Sequence, residues 1–198
     1  MPRSLRSLAT YSVTRVERIW RRVDDLVAPT LGWMLDVQAG AGVPGVSTRG
    51  FGRAVARFAA WYPLGVDYQL SARAEGGAVF GASRQEVPST LMFRTGGDTT
   101  VRGYAFDSLG VTAGQATVPG RYFVAASVEA TRWINATWGI ATFVDAGNAF
   151  DNARDFRLDL GYGVGARVRT PIGPFRFDVA YGQESRQVRV HFSVGLAF

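Results

Sequence analysis

The feature that most restricts the fold is a two-residue alternation of apolar and polar side chains over long segments. From residue 157 to 169, Leu, Tyr, Val and Ala occupy the even positions, and Arg, Asp and Gly occupy the odd ones. Residues 175–182 and 188–198 repeat the pattern, each with one face free of charge. Because side chains alternate across a strand, the chain is predicted to be all-β. The 24 Gly residues also disfavour helices, since each costs about 1 kcal/mol in a helix interior relative to alanine.

The pattern predicts about eight strands in a single unit. They are expected at residues 31–40, 54–62, 66–77, 124–131, 138–147, 157–169, 175–182 and 188–198. Residues 12–25 fit either a strand or a short helix. We therefore divide the chain into an N-terminal segment at 1–25, a partial strand or truncation junction, and a unit at 26–198 with a long loop at 80–118.

Strand length distinguishes a membrane barrel from a soluble β-sandwich, which also alternates. Globular strands cluster near five or six residues, whereas a spanning strand needs about 9–11. Aromatic residues lie toward the predicted strand ends, as girdles at the two membrane interfaces require. These residues are Trp33, Trp61, Tyr62, Trp133, Trp138, Tyr181 and Phe198. The opposite face, rich in Gly, Ser, Arg, Asp and Gln, suits a wet lumen, so we predict a transmembrane antiparallel β-barrel, closed because lipid cannot pair its edges.

Composition removes several functional classes. The chain has no Cys and one His, so it cannot form disulfides and has few of the side chains that bind transition metals. We therefore expect no cofactor. The formal net charge is +6, but the basic residues are scattered, so no nucleic-acid partner is expected. His191, Ser193 and Asp178 have the composition of a hydrolase triad, but without a nucleophile elbow or an oxyanion loop we expect no enzyme.

The long loop carries the most distinctive residues. Gly96, Gly97 and Gly103 indicate sharp turns and close approach of the backbone. Arg102 stands among small and aromatic residues. A connection of about forty residues without evident secondary structure is usually functional or disordered.

Three strings together resemble a known family. FRTGGDTTVRGY at 93–104, FVDAGNAF at 143–150 and the ending VGLAF are similar to the outer-membrane insertase superfamily of BamA and TamA, the bacterial surface antigen family. PIGPFRFDVAYG at 171–182 fits its penultimate strand. DDLVAPTLGW at 24–33 is most similar to the TamA branch, with Leu31 where Arg is more usual.

The resemblance implies roles for particular residues. The loop motif would comprise Gly96, Gly97, Val101, Arg102, Gly103 and Tyr104, folded into the lumen. It would dock on the wall formed by Phe143, Asp145 and Gly147, with Arg102 contacting Asp145. From alternation alone, Asp145 faces the lumen but could instead pair with another inward arginine such as Arg167. Phe192 and Phe198 would form a C-terminal assembly signal.

The resemblance further implies a location in the bacterial outer membrane and a role in protein assembly or translocation there. The partners would be outer-membrane lipid, client outer-membrane or autotransporter β-barrel proteins, and an inner-membrane-anchored subunit. Family members normally have a signal peptide, POTRA domains and about sixteen strands, so the chain is interpreted as the C-terminal half of a barrel. A two-partner secretion transporter and a small eight-stranded barrel enzyme or structural barrel remain as alternatives.

Overall fold

A computed structural model describes residues 13–42, 50–171 and 173–194. Within these ranges, nine strands form one antiparallel sheet in the order β1-β2-β3-β4-β7-β8-β9-β10-β11. The strands are β1 Val13–Val23, β2 Gly32–Gly42, β3 Phe51–Leu64, β4 Tyr68–Phe80, β7 Tyr122–Trp133, β8 Trp138–Phe150, β9 Asp159–Val168, β10 Phe175–Gly182 and β11 Gln187–Val194. A small hairpin, β5 Val111–Ala113 with β6 Ala116–Val118, lies in the loop between β4 and β7.

The two faces of the sheet follow the alternation and confirm the all-β prediction. On β8, Ile140 and Val144 are 54% and 53% exposed on the outer face, whereas Ala141 and Phe143 are buried on the inner face. The inner face also buries charged side chains, including Asp145 and Arg167. A soluble protein would bury the apolar face, so this inverted arrangement fits a barrel wall. Among the residues described, no helix is long and apolar enough to cross a membrane.

Three details differ from the sequence predictions or complete them. The ambiguous stretch at 12–25 contains β1, which pairs with β2 along its whole length, so the sheet has nine strands within the described residues, one more than the eight located from sequence. The loop predicted without secondary structure contains the β5–β6 hairpin and a 3-10 turn at Ser89–Leu91.

Two residues assigned to the aromatic girdle, Trp61 and Trp133, lie on the inner face. Their strand positions share the parity of inward residues, and the Trp133 indole donates to Gln69 at 3.2 Å.

The strand connections differ between the two rims of the sheet. At one rim, the turns after β3, β7 and β9 are short, and that between β1 and β2 is a compact loop at residues 24–31. At the other rim, residues 81–121 leave β4 and return to β7, which is the adjacent strand in the sheet. Because β4 and β7 are neighbours, the loop does not need to pass over other strands to connect them. It instead folds back against the inner face of the sheet.

An apolar cluster holds the base of the loop. Val87 and Phe93 of the loop pack with Phe51, Val55, Val79, Phe123 and Ala149 of the wall. The rings of Phe93 and Phe123 lie 4.6 Å apart between centroids. Burying these side chains inside the sheet directs the rest of the loop along the inner wall.

Candidate functional site: a loop docked on the inner wall

A tight turn shapes the tip of the loop. Gly96 and Gly97 have backbone φ angles of 105° and 101°, which residues with a Cβ rarely adopt. The Gly97 N–H donates to the Val101 carbonyl at 3.1 Å, and the Gly96 N–H donates to Thr100 Oγ1 at 2.7 Å. Closing the turn this way presents the next residues, Arg102 to Tyr104, to the wall.

Arg102 binds Asp145 through two parallel side-chain bonds. Its Nε donates to Oδ2 at 2.8 Å and its Nη2 donates to Oδ1 at 2.9 Å. The Arg102 backbone N–H adds a third bond to Oδ2 at 3.0 Å. Both side chains are buried, at 2% and 0% exposure. A bidentate, charge-assisted contact in a place that excludes water fixes both position and orientation of the loop.

The remaining guanidinium donor contacts of Arg102 reach two other strands of the site. Its Nη1 donates to Glu129 Oε2 on β7 and to Asp178 Oδ2 on β10, both at 3.0 Å, and its Nη2 donates to Ser127 Oγ at 3.3 Å. The guanidinium carbon lies 3.3 Å from the ring centroid of Phe143 on β8. One loop side chain thus joins β7, β8 and β10.

Carboxylates around Arg102 outweigh the penalty of its burial. Burial by itself lowers the pKa of the guanidinium, but the hydrogen bonds and charge of Asp145, with Glu129 and Asp178, raise it above its ordinary value. The side chain is therefore a permanent cation in the lumen.

Arg167 was the alternative partner of Asp145, and the structure gives it other partners. It binds Glu129 through Nε at 2.8 Å and Nη2 at 2.6 Å, and Asp178 through Nη1 at 2.6 Å. The cluster thus holds two arginines and three carboxylates, with Glu129 and Asp178 shared between the arginines. A shared network of this kind couples the loop to the wall more strongly than one pair would.

Gly103 and Tyr104 contact the last hairpin. Gly103 has a φ of 93°, and a Cβ there would lie 2.6 Å from the Gly182 nitrogen. Its N–H donates to His191 Nε2 on β11 at 3.0 Å. The Tyr104 hydroxyl donates to the Leu160 carbonyl at 3.0 Å and accepts the Glu184 N–H at 3.1 Å. The tip of the loop therefore ties the β10–β11 turn to β9.

Glycines on the inner wall make room for the loop. A Cβ on Gly161 would overlap the Arg102 carbonyl oxygen, and one on Gly165 would overlap the Asp178 carboxylate. At Gly147, a Cβ would come within 2.9 Å of the Val101 side chain, which is fully buried. Glycine inside a strand commonly marks such close approach.

The structure brings together most, but not all, of the residues selected from the sequence. Arg102, Gly103 and Tyr104 dock beside Phe143 and Asp145, and Val101 lies at Gly147. Phe192 lies elsewhere, on the outer face of β11 at 59% exposure, with its ring 6.0 Å from that of Phe175. Phe198 lies outside the described residues.

Sequence reasoning missed several partners of the loop. Glu129 and Ser127 on β7 were not selected, and His191 and Asp178 were considered only as parts of a triad. In the structure, His191 Nε2 accepts the Gly103 N–H and Asp178 binds two arginines, so the residues are occupied by the loop contact. The run of inward glycines on β9 was the available signal, because it marks a wall that something must approach closely.

This chain is similar to known proteins in both sequence and fold. A family model described as the Omp85 superfamily domain matches residues 5–198. Among solved structures, BamA from Haemophilus ducreyi lacking POTRA domains 1–3 superimposes with a TM-score of 0.76 at 19% sequence identity. The match covers 91% of this chain and 42% of that BamA chain, so the sheet has the fold of part of the BamA barrel.

Proposed function

We propose that this chain, which belongs to the Omp85 superfamily, forms part of a barrel wall that assembles or translocates other outer-membrane proteins. Barrels of the superfamily reside in the bacterial outer membrane, and this is the location of the chain. The function needs no covalent chemistry. It rests on an edge of the sheet, where an incoming strand can pair, and on a loop that controls the interior behind that edge.

The observation that carries the proposal is the loop docked through Arg102 on Asp145. The same loop tip binds the turn of the β10–β11 hairpin through Tyr104. Within the described residues, β11 pairs with β10 alone and leaves its other edge unpaired. Docking of the loop is therefore linked to the position of an edge strand, and such edges accept further strands.

The motif residues have distinct parts in this proposal. Gly96 and Gly97 shape the turn, Val101 to Tyr104 dock the loop, and Phe143, Asp145 and Gly147 receive it. Phe192 and Phe198 serve as the C-terminal signal for assembly of the chain itself. Residues 26–198 act as one unit with the loop at 80–118.

A TamA-like role, with autotransporter barrels as clients and an inner-membrane-anchored partner, is the more specific proposal. It is supported by DDLVAPTLGW at 24–33. In the structure, the Asp24 carboxylate accepts the backbone N–H groups of Thr30 and Leu31 at 2.9 and 3.0 Å and binds the Thr30 hydroxyl. These hydrogen bonds give the loop at the rim a defined conformation, which supports a role for it in recognising a partner.

A reconstitution experiment tests the function. The full chain is placed in phospholipid vesicles, and an unfolded eight-stranded outer-membrane barrel is added as client. Folding of the client is followed by its heat-modifiable migration on gels. We expect faster folding than in empty vesicles, with the gain reduced by Asp145→Asn and retained by Asp155→Asn, an exposed control.

The fate of the client separates the two transport functions. A client that becomes embedded in the bilayer supports assembly, whereas a soluble passenger that reaches the vesicle interior indicates a secretion pore. Equal client folding with and without the chain would refute the proposal.

A further inference from the structure

The outer face of β1 differs from that of every other described strand. Glu17, Ile19, Arg21 and Val23 line the interior cavity, so the alternate residues Val16, Arg18, Trp20 and Arg22 face outward. Across the outward positions of the other described strands, the one charged side chain is Arg132, at the rim end of β7. The two outward arginines of β1 therefore need an explanation.

Their depth makes this face unusual. Arg18 lies five residues before the end of β1 at Val23, which corresponds to about 12 Å for a strand of 3.3 Å rise tilted by 45°. Its register partner on β2 is Val37, in a face that also presents Leu35 and Trp33. A cation on the lipid face is increasingly costly toward the middle of the membrane, so Arg18 must reach a polar partner.

The partner is not within the described part of the chain. Neither Arg18 nor Arg22 makes an ion pair there, whereas Arg15 on the inner face pairs with Glu17. The Arg18 guanidinium carbon instead lies 5.0 Å from the Trp20 ring centroid. Trp20 is the next outward residue toward the β1–β2 loop, so the charged end of Arg18 is directed toward the rim.

Arg22 extends the same patch to the rim itself. It lies opposite Trp33 and one residue before the end of β1. The rim is the one with short turns, which in outer-membrane barrels faces the periplasm. Two guanidinium groups without an ion-pair partner among the described residues, together with two indoles, thus converge at the depth where lipid headgroups of that leaflet begin.

We propose that Arg18, Trp20 and Arg22 bind the phosphate of an anionic phospholipid in the leaflet beside the short turns. The guanidinium groups complement the phosphate, and the indole supports Arg18 and lies at the interface. A lipid fits better than a protein partner because the patch continues into the outer face of β2, where Trp33, Leu35 and Val37 form an apolar surface suited to acyl chains.

Lipid retention measures the site directly. The full chain is purified in mixed micelles containing phosphatidylglycerol or phosphatidylcholine, and bound lipids are counted by native mass spectrometry over a lipid titration. The test variant is Arg18→Gln with Arg22→Gln. The matched control, Arg15→Gln with Arg21→Gln, removes the same charge from the inner face of the same strand. β-Sheet content by circular dichroism verifies that both fold.

Each arginine is expected to contribute about fivefold to affinity for an anionic lipid. The test variant should therefore bind phosphatidylglycerol roughly 25-fold more weakly, with phosphatidylcholine and the control variant unchanged. An equal loss in the control would show a general charge effect and overturn the site. Equal binding of the two lipids, displacement by inorganic phosphate, or retention of a protein in place of lipid would also overturn it.

Discussion

Replacing Asp145 by asparagine should release the loop while leaving the barrel wall intact. The carboxylate accepts three bonds from Arg102, two from the guanidinium and one from the backbone. An asparagine oxygen can keep the bonds at one position, but its NH2 group then opposes an N–H donor at the other. Removing one partner of a buried ion pair costs about 3–5 kcal/mol.

The structure puts the expected cost at the lower end of that range. Glu129 and Asp178 still compensate the Arg102 charge after the substitution. About 3 kcal/mol corresponds to roughly a 150-fold larger population of the undocked loop. Hydrogen–deuterium exchange of a peptide spanning residues 99–106 measures this population, with peptides from β8 as the reference for the wall.

A double-mutant cycle tests the reasoning behind this number. Arg102→Ala should release the loop by itself, after which Asp145→Asn should have little further effect, so the coupling energy should be about 3 kcal/mol, the cost of Asp145→Asn alone. Asp155→Asn, on an exposed turn, should change nothing. If the two single effects add to within about 0.5 kcal/mol, the loop is not held by this contact.

Three further results are expected. Gly161→Ala should undock the loop, because its Cβ would overlap the carbonyl oxygen of Arg102. Gly76→Ala should leave the loop docked, because the nearest atom to its Cβ, the Phe123 carbonyl oxygen, would lie 3.4 Å away. Hydrogen–deuterium exchange of the loop peptide measures both effects. Tyr104→Phe should speed exchange in the β10–β11 turn about tenfold, since it removes both hydroxyl bonds to that hairpin and β9; unchanged exchange would contradict the link. The pKa of Asp24 is about 2, because hydrogen bonds from the β1–β2 loop outweigh the opposing effect of burial. The ionised Asp24 carboxylate thus stabilises the folded protein above pH 4, and this stabilisation is lost as the pH falls through 2. A titration of this carboxyl by NMR with a midpoint near pH 4 would refute the lowered pKa.

The strands could be predicted from sequence because lipid and lumen impose opposite requirements on alternate residues. β8 and β9 follow that rule and were located by it. β1 was ambiguous for a physical reason, since Arg18 and Arg22 break the apolar face. On β3, Phe51 and Val55 pack inward against the loop base, which weakens the alternation.

The partners of the loop were less predictable. Asp145 could be placed on the inner face by alternation, and the resemblance connected it to Arg102. The contribution of Glu129 and Asp178 depends on which side chains of β7 and β10 converge across the intervening strands, a matter of register and curvature that sequence spacing does not contain. The same holds for Tyr104, whose partners lie on β9 and in the β10–β11 turn.

The central claim is that the apolar outer face contacts acyl chains while the inner face encloses the docked loop. Because the chain has no cysteine, nitroxide labels can be placed singly through Ile140→Cys, Ala141→Cys, Thr142→Cys and Val144→Cys. In vesicles, labels at 140, 142 and 144 should collide readily with oxygen, which concentrates in lipid, and the label at 141 should be shielded from it. Uniform shielding of all four labels would place these side chains inside a soluble fold and contradict the claim.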